Sequence, residues 1–421
     1  MNRRAVLAVL IGLAGCSSTD QESSSTTTDP KSPTAGEPSG TTRPNDTETP
    51  AQSQTPSRQA PLNAQTGWQQ YGGGPENSGY IAESAIPDDI SEYWSLYTQS
   101  TAPVIEDEVA YTIEYARKER LVARSTVTGE QEWSVDIGPV SFNIPAVHGD
   151  AVIVPRFDSV EAFSRTDGES LWKVPLPEGS SLPLLSRPNG VIAATGRGIV
   201  SVSVAGEQQW QHEPSSEIAG APAVTDDGIV YTSANGELIH VSGGKTNASI
   251  SVDTAFSSGP AVDTGISYQA SDSGTVSAID LSSGDQIWEH PMDETTSAGT
   301  SPAVDFDSVY VPTISGIVSL DKGTGEPNWT FEFPERGSAT TPVIDSEILC
   351  FGTYGSISSA SVFALSRSDG TVQWNFDVNS SPSNHQPDAG LLGPPTPTVR
   401  GVVLSATDGL HALGPELADG K

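Results

Sequence analysis

The chain has 421 residues, and its 53 acidic and 20 basic side chains leave a formal net charge of −33. A surface so acidic repels nucleic acid, which is excluded as a partner. Two cysteines, at positions 16 and 350, exclude a disulfide-stapled scaffold.

At the N-terminus, Arg3 and Arg4 precede an apolar run at residues 5–14, which leads into Leu13-Ala14-Gly15-Cys16. Ten apolar-rich residues are too few to span a bilayer as a mature helix. The ending resembles a lipobox, and the paired arginines resemble a twin-arginine export signal. Residues 1–15 are therefore expected to be a signal peptide. Lipid on Cys16 is expected to hold the mature chain on the extracellular face of the cytoplasmic membrane. Residues 16–66 are mostly Ser, Thr, Pro, Gln and Gly, with almost no large apolar side chains. Such a stretch cannot bury enough surface to order itself and is expected to be a linker.

Residues 67–421 carry a repeat. Residues 278–288 read AIDLSSGDQIW, and 123–133, 162–172 and 364–374 keep the small residue, glycine and tryptophan at the same offsets. Residues 319–329 do so with Ser for Ala. A period near forty residues means a repeat architecture. Prolines at 103, 145, 183, 222, 260, 302, 342 and 397 open eight units. Trp94, Trp133, Trp172, Trp210, Trp288, Trp329 and Trp374 close units, with a gap near residues 248–250. The two series are out of step, because Trp94 has no repeat before it and the last repeat ends without a tryptophan. A closed ring resolves this: the segment around Trp94 supplies the outer strand that the last repeat lacks, and no free edge remains.

Runs rich in Val, Ile, Tyr and Thr, cut by Gly and Asp turns, predict four short strands per unit. The expected fold class is all-β, an eight-bladed β-propeller of four-stranded antiparallel blades. The glycine four residues before each tryptophan is expected to be left-handed. The tryptophan is expected to seal the seam between blades, with its indole N–H on a partner there.

This pattern resembles the tryptophan-docking, PQQ-like repeat of the quinoprotein propellers, over residues 68–413. That family holds dehydrogenases carrying pyrroloquinoline quinone (PQQ) and calcium. It also holds members of no known chemistry, including the outer-membrane assembly lipoprotein of the barrel-assembly machinery. The resemblance implies adjacent cysteines beside the cofactor in the dehydrogenases, and this chain has none. The lysine-poor, acidic balance resembles that of salt-loving archaea, where multimolar salt screens self-repulsion.

Catalytic signals are absent from the sequence. The six histidines show no zinc spacing, and no nucleophile elbow or phosphate-cradling loop occurs. Asp305 and Asp307 lack the Gly and Glu of a calcium loop and read as turn residues. Cys350, in an apolar strand, reads as core. Sequons stand at Asn45, Asn247, Asn328 and Asn379. No catalytic, metal or cofactor residue is predicted.

What remains is departure from the repeat. Segments 114–120, 352–360 and 379–395 fall in loops of one face, in blades 1, 7 and 8. Arg117, Lys118 and Arg120 lie in the first, and Arg156 and Arg197 in the equivalent turns of blades 2 and 3. With Tyr354, His385 and Asp388 they make up a candidate partner-binding face. The expected function is a monomeric, membrane-anchored extracellular scaffold that binds an extracytoplasmic protein or small ligand, without a cofactor. The alternatives are a PQQ- and calcium-dependent oxidoreductase and a polysaccharide- or sugar-binding surface protein.

Overall fold

Short apolar runs bounded by turns bury both faces only when a sheet is stacked on each side. In the computed structural model they do so as eight antiparallel sheets, the blades of a propeller. The structure describes residues 70–415 apart from positions 75, 82–85, 88–89, 116, 141–143, 177–181, 196–197, 253–254, 335–336, 355–359 and 379–389. The expectations at residues 1–66, Cys16, Asn45, Arg197, Asn379, His385 and Asp388 lie outside these. There is no helix among the described residues.

Blade 1 comprises Val104–Glu106, Val109–Tyr115, Glu119–Ser125 and Gln131–Asp136. Blade 2 runs from Ala146–His148 to Ser170–Pro175, blade 3 from Leu185–Arg187 to Gln208–His212, and blade 4 from Ala223–Thr225 to Lys245–Ser251. Blade 5 runs from Ala261–Asp263 to Gln286–Pro291 and blade 6 from Ala303–Val304 to Pro327–Glu332. In blade 7 the inner strand is split into Ser338–Ala339 and Val343–Ile344, both pairing with Ile348–Tyr354. Blade 8 takes Thr396–Thr398, Gly401–Ala406 and Gly409–Gly414 from the C-terminal end and Ser91–Leu96 from the other.

The core is distributed rather than central. Among the described residues, eight hydrophobic clusters lie one to each seam between blades. The tryptophans close these seams as expected. Trp288 of blade 5 lies on Gly325 of blade 6, where a methyl group would fall 2.5 Å from its ring. Its indole N–H donates to the Lys322 carbonyl at 2.9 Å. Trp94, Trp133, Trp172 and Trp329 donate likewise to the carbonyls of Thr126, Arg165, Val204 and Arg367. Gly325 has φ +75°, which only glycine adopts without strain, and its missing side chain makes room for the ring. Two seams differ. Arg187 stacks 5.6 Å above Trp210. At the seam of blades 4 and 5, Ala248 holds the tryptophan's place, and Ile250 lies on Gly284 with 3.6 Å to spare for a methyl.

Closure joins the two ends of the ring. Ser91–Leu96 pairs antiparallel with Gly409–Gly414, and Trp94 stands opposite Ala412, as each docking tryptophan stands opposite its small residue. Blade 8 has no turn between its last two strands to receive Trp374. The lead-in residue Pro87 supplies the missing carbonyl, at 2.6 Å. His411 lies across the closing pair, 2.6 Å from Glu92 and 3.0 Å from Asp408. Burial lowers its pKa, but the Asp408 and Glu92 carboxylates outweigh this and leave it raised above its ordinary 6.5.

Three outcomes follow for stability. Trp288→Ala is expected to cost about 3–5 kcal/mol in denaturant unfolding, the usual loss of a buried large aromatic. Gly325→Ala, which meets both strain and the ring, should cost about 2–4 kcal/mol, whereas Gly284→Ala meets strain alone and should cost about 1–2 kcal/mol. The contribution of His411 is complete below its unfolded pKa and is lost as pH rises through the raised folded value. Melting temperature should therefore fall as pH rises above 6.5 in the parent protein, and His411→Gln should remove that step.

Candidate functional site

Each inner strand runs from the incoming crossover towards the first turn of its blade. Crossovers and second turns therefore share one face, here the crossover face. Bridges from Ser100 to Glu114, Val140 to Arg156 and Leu391 to Ala406 tie each crossover to the second strand or turn of the blade it enters. A methyl on Gly393 would fall 2.6 Å from Ala102 Cβ and 3.9 Å from Ile144 Cδ1. The crossovers into blades 8, 1 and 2 are thus in contact.

Of the expected basic residues, Arg117, Lys118, Arg120 and Arg156 are described and lie on this face, but all except Arg117 turn to acids of their own blade. Glu114 is buried, and Arg120 and Arg124 reach it at 3.3 and 2.7 Å. Arg156 pairs with Glu161 at 2.8 Å, and Lys118 with Asp136 at 2.7 Å. The Arg156 and Arg120 pairs are mostly shielded from solvent; Lys118 and Asp136 remain exposed. Arg117 is exposed. Tyr354 is not brought to this group: its hydroxyl donates 3.0 Å to the Ala298 carbonyl of the crossover into blade 6, and burial raises its phenol.

Sequence reasoning missed the apolar part of the face. Tyr97 is 90% exposed, Phe157 60% and Leu392 46%. Tyr97 and Leu392 border blade 8, and Phe157 forms the second turn of blade 2. The signal was present in the repeat, since Phe157 stands where blades 4, 5 and 8 carry Ala234, Asp272 and Thr407.

The channel on the propeller axis holds the chain itself. Residues 70–81 cross it and bond to the inner strands of four blades. Gln70 accepts the Ser186 N–H of blade 3. The carbonyls of Glu76, Ser78 and Gly79 accept from Val262, Val304 and Ile344 of blades 5, 6 and 7. Asn77, fully buried, donates to the Pro260 carbonyl at 3.1 Å and to Ser301 at 2.9 Å. At Gly79, φ +70°, any Cβ would lie 2.7 Å from the Pro342 carbonyl. Burial raises the Tyr71 phenol, a shift that the Thr341 hydrogen bond opposes. Burial likewise raises the Glu76 carboxyl, and Asp263 and Asp226 add to it.

A family model described as outer membrane protein assembly factor BamB matches residues 62–202, 156–251, 242–383 and 272–421. The chain belongs to this BamB-like, PQQ-type repeat family. It is 26% identical over 250 residues to the outer membrane protein assembly factor BamB of Yersinia pestis, covering 51% of this chain and 63% of that protein. The chain thus matches less than two thirds of that relative. The crystal structure of BamB from Moraxella catarrhalis superposes with a TM-score of 0.57 at 16% identity, over 79% of this chain and all of that one. The quinohemoprotein alcohol dehydrogenase of Comamonas testosteroni superposes at 0.65 with 12% identity, over 85% of this chain and 82% of that one. Identities this low show the shared propeller alone.

The resemblance to the quinoprotein propellers implies PQQ and calcium as the pair such a propeller would hold. PQQ is a flat polycarboxylate and needs cationic groups and open space. Here the described residues of 70–81 fill the axis, and the titratable groups they bring are Tyr71, Glu76 and Tyr80, none of them cationic. No cluster of three or more His, Cys, Asp or Glu suited to a metal occurs among the described residues. Cys350 is buried, with its thiol pushed up by burial and by Asp345. The residues present do not fit PQQ and calcium.

Gly79→Ala tests the packing of this axial segment. It is expected to cost about 2–4 kcal/mol in denaturant unfolding, through strain and overpacking together.

Proposed function

We propose that this BamB-like propeller is a non-catalytic docking scaffold, held at an extracytoplasmic membrane surface by lipid on Cys16, that binds a partner protein through the crossover face of blades 8, 1 and 2. The observation that carries this reading is the exposure of Tyr97, Phe157 and Leu392 around a loop bearing Arg117 and Lys118. Exposed aromatic and aliphatic groups beside cations are the composition of a protein-binding patch. The shielded pairing of Arg120 and Arg156 with acids leaves Arg117, with Lys118 in its exposed pair with Asp136, as the electrostatic part of the patch. The filled axis and its acidic groups support a role without quinone chemistry. Outer membrane protein assembly, the role in the relatives' name, is in keeping with protein binding. The twin-arginine signal and the lipobox support the anchored location.

A photo-crosslinking residue placed at Tyr97 or Phe157 is expected to capture one partner in membranes, while the same residue at Val372, on an outer strand, should not. Arg117→Glu with Lys118→Glu should lower capture at least about fivefold, with melting unchanged. Equal capture from Val372, or none from either face position, would refute the reading. Cys16→Ser should release the protein from the membrane.

A further inference from the structure

The seams close differently on the opposite face, where the first and third turns of each blade lie. In two of them an arginine at the start of the third turn reaches back over the seam. Arg165 of blade 2 donates to the Tyr111 hydroxyl of blade 1 at 3.2 Å and pairs with Asp107 at 2.8 Å. Arg367 of blade 7 repeats this on Tyr310, at 3.3 Å, and Asp305 of blade 6. Lys322 of blade 6 reaches Asp263 of blade 5 in the same way.

Val204 of blade 3 is the equivalent of these residues. Its carbonyl accepts the Trp172 indole N–H just as those of Arg165 and Arg367 accept Trp133 and Trp329. The tyrosine's place, opposite the first residue of the inner strand, is taken by Ile153. The arginine and the tyrosine of the clamp are therefore missing at the seam of blades 2 and 3, and His148 and Gly149 stand where Asp305 and Asp107 carry its acid, with Asp150 next to them. A pocket of about 230 Å³ lies there. It is far larger than one water needs. Ile153, Leu171, Trp172 and Val204 give it apolar walls, and Asp150 and His148 line it too. Leu171 and Val204 are 53% and 57% exposed, so the pocket has an apolar rim.

We propose that this seam is an intermolecular version of the clamp and accepts an arginine side chain from a protein partner. The stem packs on Ile153, Leu171, Trp172 and Val204, and the guanidinium meets Asp150. Two observations select arginine over an apolar side chain. The sister seams fill the same slot with Arg165 and Arg367 of this chain. Asp150 and Glu108 also hold the same place, each receiving through its carbonyl the N–H of the residue after the third strand. Glu108 does take a guanidinium, that of Arg400 at 3.6 Å. A planar guanidinium suits the Trp172 wall better than an ammonium does. Burial lowers the His148 pKa, and its Nδ1 is engaged with Ser186 at 3.0 Å, so a neutral imidazole faces the cation. The pocket opens away from the crossover face, and its role does not depend on the patch proposed there.

The probe is N-acetyl-arginine amide, followed by the His148 ring resonances in NMR titration, with N-acetyl-leucine amide as the comparison. The arginine probe should bind saturably with a dissociation constant on the order of 1 mM, as a ligand of this size allows. Asp150→Asn should weaken it about threefold. Val204→Arg should fill the slot from within the chain and abolish binding. Leu171→Lys, at an exposed position that leaves folding intact, should weaken it at least about fivefold by like charge. Equal or stronger binding of the leucine probe, no saturable shift with arginine, or unchanged binding to Val204→Arg and Leu171→Lys would each overturn the proposal.

Discussion

The structure depends on one contact, made repeatedly: an indole laid on the glycine of the next blade, its N–H on a carbonyl nearby. Each such hydrogen bond contributes about 1 kcal/mol, and each ring buries an area no aliphatic side chain matches. Because blades 8, 1, 2, 5 and 6 each lay a ring on the glycine of the next blade, the contact propagates around most of the circle. It also fixes the sequence. The small residue opposite the tryptophan, the left-handed glycine and the turn between them are demanded together, which is why they recur at constant spacing.

For this reason the fold was largely legible in the amino-acid sequence. The tryptophan and proline series counted blades, and their mismatch at Trp94 and Leu413 gave the closure. The weak point was legible too, since Ala248 and Ile250 mark the seam without an indole. The axial segment was not legible. Residues 70–81 share no spacing with the repeats, and the partners of Asn77 lie 183 and 224 positions away. Glycine-rich and polar, the segment reads as loop until the inner strands are in place around it.

The candidate face shows a similar division. Its position came from where loops break the repeat, and the structure keeps Arg117 and Lys118 there. Its chemistry could not be read, because exposure is a property of the surroundings. Glu114 looks like one more acid in a charged loop, yet it is buried and holds two arginines. Tyr354 looks like a surface aromatic, yet its hydroxyl is turned to another blade's crossover. The clamp pairs were hidden for the same reason: Tyr111 and Arg165 are 54 residues apart and belong to different repeats.

The clasp between Ser91–Leu96 and Gly409–Gly414 bears on how the molecule comes into being. The first strand of the described residues pairs with the last, some 320 residues later, as the bond from Ser91 to Gly414 records. Until the C-terminal strand emerges, Trp94 and its neighbours have no sheet to join, and the axial segment has no complete ring to fill. A strand that has to wait for its partner is unpaired and open to wrong ones. Dense negative charge, with 33 more acids than bases in the chain, keeps such waiting edges of different molecules apart.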